Sequence, residues 1–187
     1  MRKLLLSNLS DKEIGYLVGL YLGDGYTSYD NNRHYKVGFC LNPKRDGDII
    51  ERTFQLLIKM GLAPYRIENH GCLEVRANSK EFYRFLLVEY TKWQSRTDYD
   101  YQIGLVSGLI DSDGHIGNGE TVITNKDENI LKIVEQTLKK LKIQTKLWKQ
   151  QINGKGKWNF EIFRLRISTK FKQLDHNSSK IIRKAGF

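Results

Sequence analysis

The chain has 187 residues, enough for one sizeable domain or two small ones. Its 31 Lys and Arg outnumber 21 Asp and Glu, a net charge of +10, so a polyanionic partner such as nucleic acid is expected. The excess lies in both halves, net +3 over residues 1–95 and net +7 over 96–187, which argues for a long basic surface and against a basic tail.

In chain order, Ser10 and Glu13 form an S-x-x-E capping box that opens a helix running to about Gly23. A short strand from Gly25 to Asp30 follows, then a turn through residues 30–33. The next strand alternates cleanly, with Tyr35, Val37, Phe39 and Leu41 on one face and His34, Lys36, Gly38, Cys40 and Asn42 on the other. Residues 46–60 have helical period, and Gly61 stops them. Strands are expected at 65–69 and 72–78, and Ser79 caps a further helix towards Trp93. In the second of these strands Leu73, Val75 and Ala77 oppose Glu74, Arg76 and Asn78. The polar stretch 94–100 serves as a linker between repeats at 1–93 and 101–187.

After the linker the order repeats: a helix to Ser112, strands near 114–117 and 120–125 around Asn118-Gly119, a helix at 127–141, and a long hairpin at 144–151 and 158–168. Shifts of 89, 81 and 90 residues map the first half onto the second. They pair Asp24 with Asp113, Ile49 with Ile130 and Arg76 with Arg166. This is one duplication, and a pseudo-twofold molecule is expected.

The two repeats begin alike. Gly15, Gly19 and Gly23 recur as Gly104, Gly108 and Ser112 at a spacing of four, and an Asp-Gly closes each run. An isolated helical Gly costs roughly 1 kcal/mol against Ala, so small residues on one face imply close packing of another helix. Asp24 and Asp113 then fall in the last turn, at the negative end of the helix dipole, where a carboxylate is misplaced. If the two helices pack in parallel, the acids approach each other, and a divalent cation would resolve the repulsion.

Each repeat also offers four strands with an apolar face for its helices and a polar, cationic face. His34, Lys36, Arg66, Arg76 and Asn78 are expected on the open face of the first repeat, and Lys146, Arg164 and Arg166 on that of the second. An antiparallel sheet with one open face is ordinary, but two basic ones in tandem suit duplex DNA. Arg and Lys read guanine in the major groove, and Asn or Gln reads adenine.

Other classes are disfavoured. Cys40 and Cys72 form no C-x-x-C pair, so no disulfide framework and an intracellular setting, prokaryotic cytoplasm or an organelle, are expected. The histidines (His34, His70, His115, His176) have no zinc spacing. No apolar run reaches the ~18 residues of a membrane span, and the start at Met1 to Leu6 is too short for a signal peptide, so no membrane partner is expected.

The residues 106–114, Val-Ser-Gly-Leu-Ile-Asp-Ser-Asp-Gly, match the LAGLIDADG signature at six positions, and 17–25 is a looser copy. With the strands and helices behind each motif, the chain resembles the LAGLIDADG homing endonucleases in their single-chain, two-motif form. The resemblance implies an α+β fold of duplicated αββαββα units, two antiparallel sheets forming a DNA-binding saddle, and motif helices packed at the centre. It implies metal ligation by Asp24 and Asp113, with the carbonyls of Gly23 and Ser112 as further ligands. Asp111 is at most accessory, because the first copy has Leu22 at its position.

By the same resemblance, Asn42 and Asn125 would order active-site water, and Lys44 and Lys126 are candidates for a basic helper near the scissile phosphate. Ile116 stands where some members place such a residue. The implied activity is site-specific double-strand DNA cleavage with Mg²⁺ or Mn²⁺ by a monomer. An alternative is an RNA-splicing maturase acting on intron RNA, or a non-cleaving DNA-binding regulator.

Overall fold

The sequence pattern becomes a twice-repeated arrangement of helices and antiparallel strands. The computed structural model describes residues 4–30, 34–69, 71–117, 120–153 and 159–168. The expected turns at 31–33, 118–119 and 154–158, the residues His70 and His176, and the closing helix of the second repeat lie outside these.

The chain divides into two compact units, Met1–Gly108 and Leu109–Phe187. In the first, α1 (Asp11–Asp24) is followed by β1 (Gly25–Tyr29), β2 (Tyr35–Leu41), α2 (Gly47–Lys59), β3 (Tyr65–Asn69), β4 (Cys72–Asn78) and α3 (Lys80–Lys92). Helix α4 (Tyr99–Asp113) begins in the first unit and ends in the second. Then come β5 (Gly114–Gly117), β6 (Glu120–Asn125), α5 (Glu128–Lys140), β7 (Thr145–Asn153) and β8 (Asn159–Ser168). Each unit holds one four-stranded antiparallel sheet, in the orders β1-β2-β4-β3 and β5-β6-β8-β7.

The capping box at Ser10 is formed in both directions, with Glu13 N–H donating to the Ser10 hydroxyl and Ser10 N–H to the Glu13 carboxylate. Ser79 caps α3 by accepting from Phe82 N–H. The duplication extends to the way the middle helices end. Gly61 has φ 79°, and Leu62 N–H reaches back to the Leu57 carbonyl. Lys142, at the matching place, also has a positive φ (59°), and Ile143 N–H reaches the Leu138 carbonyl. Such a cap satisfies carbonyls left over at a helix end.

The core of the first unit lies between one sheet face and the helices. Val37, Phe39, Leu41, Val75 and Ala77 meet Tyr16, Leu17, Leu20, Leu57, Phe82 and Leu86, all buried. In the second, Ile123, Leu165 and Ile167 are buried with Ile130, Leu131, Val134 and Leu138. The helical glycines serve close packing. A Cβ on Gly15 would lie 2.0 Å from the Tyr101 carbonyl oxygen, on Gly104 2.0 Å from that of Lys12, and on Gly108 2.2 Å from that of Tyr16. So α1 and the start of α4 touch backbone to backbone, and this joins residues up to 108 to the first unit. The stretch 94–100 is itself tied down, since Arg96 pairs with Asp11, Glu89 and Asp98.

One expectation is overturned. Cys40 and Cys72, 32 residues apart, are joined by a disulfide across β2 and β4. Antiparallel pairing sets Cys40 opposite Glu74 and so brings Cys72, two residues earlier on the same face, within reach. Spacing in sequence carries no trace of that proximity. No helix among the described residues is long and apolar enough to cross a membrane.

Candidate nucleic-acid interface and metal positions

Asp24 and Asp113 are the final residues of α1 and α4, one in each unit, both half-buried. The glycine after each is needed for a reason other than a left-handed cap. Gly25 is extended (φ −89°, ψ 152°), and its N–H still donates to the Tyr21 carbonyl. A Cβ there would lie 2.5 Å from the Tyr21 Cα, and on Gly114 2.3 Å from the Ile110 carbonyl oxygen. The chain turns from helix into strand so sharply that only a hydrogen fits. This geometry fixes each acid beside the carbonyls of its own helix end.

The asparagines behave differently in the two units. Asn125 Nδ2 donates to Asp113 Oδ2 at 2.7 Å, while its Oδ1 accepts from Asp127 N–H. Asn42 Oδ1 accepts from Lys44 N–H at 2.9 Å in the same kind of turn. Gly25 pairs with Phe39 and Gly114 with Ile123, so the register aligns Asn125 with Leu41, a buried core residue. The matching turn aligns it with Asn42 instead. Lys44 and Lys126 are both exposed just beyond β2 and β6. Asp111 is fully buried in α4.

A carboxylate and main-chain carbonyls are hard oxygen donors, the set that Mg²⁺ or Mn²⁺ takes. The residues at each helix end, Asp24 with Gly23 and Asp113 with Ser112, therefore fit such an ion. Among the described residues no group of three or more His, Cys, Asp or Glu gathers into a metal cage.

On the open face of the first sheet, Lys36 lies opposite Asn78, and Gly38 opposite Arg76. His34 and Lys36 both contact Asp30, at 3.2 and 3.5 Å. Arg66 corrects the expectation for this face. It is opposite Val75, which is buried beneath the helices, so it points to the helix side. There it pairs with Glu51 of α2 and stacks over the Phe54 ring. The strand enters one residue out of step with the assumed alternation.

Glu74 belongs to the same face as Arg76. Alternation puts it on the solvent face, yet it is buried. It accepts from the Tyr26 hydroxyl, from Asn69 Nδ2 at 2.7 Å and from Arg76 Nε at 2.5 Å. These bonds, Arg76 foremost, hold its carboxyl down at about 2, while desolvation and Glu74 push the Tyr26 phenol up to about 12. One signal for the network was legible. A glycine inside a strand marks a close approach, and a Cβ on Gly38 would lie 2.5 Å from the Tyr26 ring.

On the second sheet, Lys146, Arg166, Val122 and His115 form one cross-strand row, and Trp148, Arg164 and Thr124 the next. Arg166 pairs with Glu120 at 3.2 Å. The Nε of Arg164 is buried and has no hydrogen-bond partner among the described residues. The expected residues Lys146, Arg164 and Arg166 thus share one open face.

Residues 100–179 match the LAGLIDADG-like domain family. The structure resembles that of a mesophilic variant of the homing endonuclease I-DmoI, with a TM-score of 0.70 at 18% identity over 89% of this chain and 95% of that one. The same endonuclease in complex with DNA and Mn gives 0.67 at 19% identity, over 84% and 90%. The fold is that of the LAGLIDADG homing endonucleases. Two motif helices stand in this one chain, each opening one αββαββ run. The N-terminal LAGLIDADG domain of DUF199/WhiA shares the fold, with a TM-score of 0.58 at 18% identity over 95% of this chain and 94% of that one. An uncharacterized protein of Methanocaldococcus jannaschii is 26% identical over 141 residues, 71% of this chain. The match spans about half the length of that relative.

Proposed function

We propose that this LAGLIDADG protein is a site-specific double-strand DNA endonuclease that acts as a monomer. The observation that carries this reading is the duplicated helix end, where Asp24 and Asp113 are both held by a glycine with no room for a side chain. In this reading Asp24 with the Gly23 carbonyl, and Asp113 with the Ser112 carbonyl, hold Mg²⁺ or Mn²⁺. When bound, such ions neutralise phosphoryl oxygens and lower the pKa of water for phosphodiester hydrolysis.

The chain's own residues do the rest. Asn125 keeps the Asp113 carboxylate in one orientation through its 2.7 Å bond. Lys44 and Lys126 supply positive charge beside the acids, and Asn42 and Asn125 orient water. His34, Lys36, Arg76, Asn78, Lys146, Arg164 and Arg166 contact the duplex from the two open faces. The I-DmoI complex with DNA and Mn supports this assignment of partner and ion class.

The test is cleavage of a plasmid carrying the uninterrupted form of the locus where the gene resides, with Mg²⁺ and with EDTA. Wild type should give linear product with Mg²⁺ alone. Asp24→Asn and Asp113→Asn should each lower that yield on the order of a hundredfold or more, the loss of several kcal/mol of transition-state charge stabilisation. Tight binding without cleavage by wild type would make the protein a regulator, and preference for intron RNA a maturase.

A further inference from the structure

The open face of the first sheet carries a built arrangement that the second lacks. Tyr26, Gly38 and Arg76 lie in one cross-strand row, with Glu74 one step along β4 on the same face. The Tyr26 ring crosses above Gly38, where a Cβ would collide with it, and so brings its hydroxyl to Glu74. Asn69 reaches the same carboxylate from β3. In the second sheet Val122 stands in place of Gly38, His115 in place of Tyr26, and Arg164 in place of the acid.

We propose that Glu74 is a positioning residue for Arg76, holding its guanidinium as a preset donor edge for one guanine of the DNA site. This rests on the reading of the chain as a DNA-binding protein. The bond to Glu74 uses Nε, and the terminal nitrogens are the pair that spans guanine O6 and N7. Arg76 keeps 21% of its side chain exposed against 5% for Glu74, so the arginine is the group of the pair offered outward.

Two physical consequences separate this role from plain fold support. An arginine fixed before binding loses less rotamer freedom on contact, which sharpens recognition. The carboxylate beneath it also offsets the positive charge, which weakens attraction to phosphates of any sequence. Glu74 therefore raises sequence choice and lowers non-specific affinity together. Removing it should move the two in opposite directions.

The experiment is selection from a randomised duplex pool by the full chain carrying Asp24→Asn and Asp113→Asn, followed by sequencing of bound DNA. The parent should select guanine at one position that Arg76→Lys abolishes. Adding Glu74→Gln should lower discrimination at that position roughly tenfold or more, while affinity for random duplex rises a few-fold. Tyr26→Phe, which keeps the ring over Gly38, should relax the same position by a smaller factor and covers the case in which Glu74→Gln does not fold. An unchanged preference in Glu74→Gln and Tyr26→Phe would overturn the proposal. A parent that binds no duplex would instead overturn the DNA reading itself, and the proposal with it.

Discussion

The two sheets have the same strand order and opposite charge at the same place. β4 puts Glu74 where β8 puts Arg164, opposite Cys40 in one sheet and Thr124 in the other. The first sheet surrounds that position with Tyr26, Asn69 and Arg76, and the acid is fully satisfied. In the second the Nε of Arg164 is buried without a partner among the described residues. Duplication therefore preserved the backbone register and let the two faces diverge in electrostatics. A buried charge that is paired resists change, whereas a buried donor with no acceptor is costly until something supplies one.

The sharpest way to break the contrast is Arg76→Ala. It strands the Glu74 carboxylate among buried groups, and a loss of about 3–5 kcal/mol in unfolding free energy is expected by urea denaturation. Acid titration of wild type reads the same network. The Glu74 pKa is depressed to about 2, so its stabilisation is full above the ordinary carboxylate value and is lost as pH falls towards 2. In Glu74→Gln that part of the acid limb should vanish. If wild type and Glu74→Gln lost stability in parallel between pH 4.5 and 2, the depressed value would be wrong.

The disulfide comes next, because it braces one sheet and has no counterpart in the other. Cys40→Ser with Cys72→Ser should cost about 3 kcal/mol through the freed 32-residue separation. A melting temperature unchanged by the double substitution and by reductant would show that the bond does not persist in solution.

Arg164→Met should have the smallest effect on stability, within about 1 kcal/mol and of either sign, since it removes an unsatisfied donor. DNA affinity should fall nonetheless. The slope of log affinity against log salt should become shallower by roughly one if Arg164 meets a phosphate. An affinity equal to wild type at every salt concentration would remove Arg164 from the interface.

Local rules exposed most of the fold. The capping box at Ser10, the stop at Gly61 and the alternation of β2 each depend on neighbours within a few residues. The repeat was legible because three separate segments aligned at nearby shifts. The bond of Cys40 to Cys72 and the burial of Glu74 depend on which strands lie side by side and in what register. Arg66 shows the same gap on a smaller scale, because a slip of one residue in β3 exchanges open face for helix face. Gly38 was the one local mark of the Glu74 network, and it needed Tyr26 beside it to be interpreted.

Helix α4 is unbroken from Tyr99 to Asp113, yet its early residues are packed on α1 and its last residues lead into β5. A chimera made by exchanging halves between relatives therefore has no neutral splice point inside this helix. A junction after Gly108 would place Gly104 and Gly108 with one parent and Asp111 and Asp113 with the other. A junction ahead of Tyr99 keeps the acid with its helix but asks a foreign α1 to accept Gly104 and Gly108. Exchange of halves is thus limited by how closely α1 and α4 fit at Gly104 and Gly108.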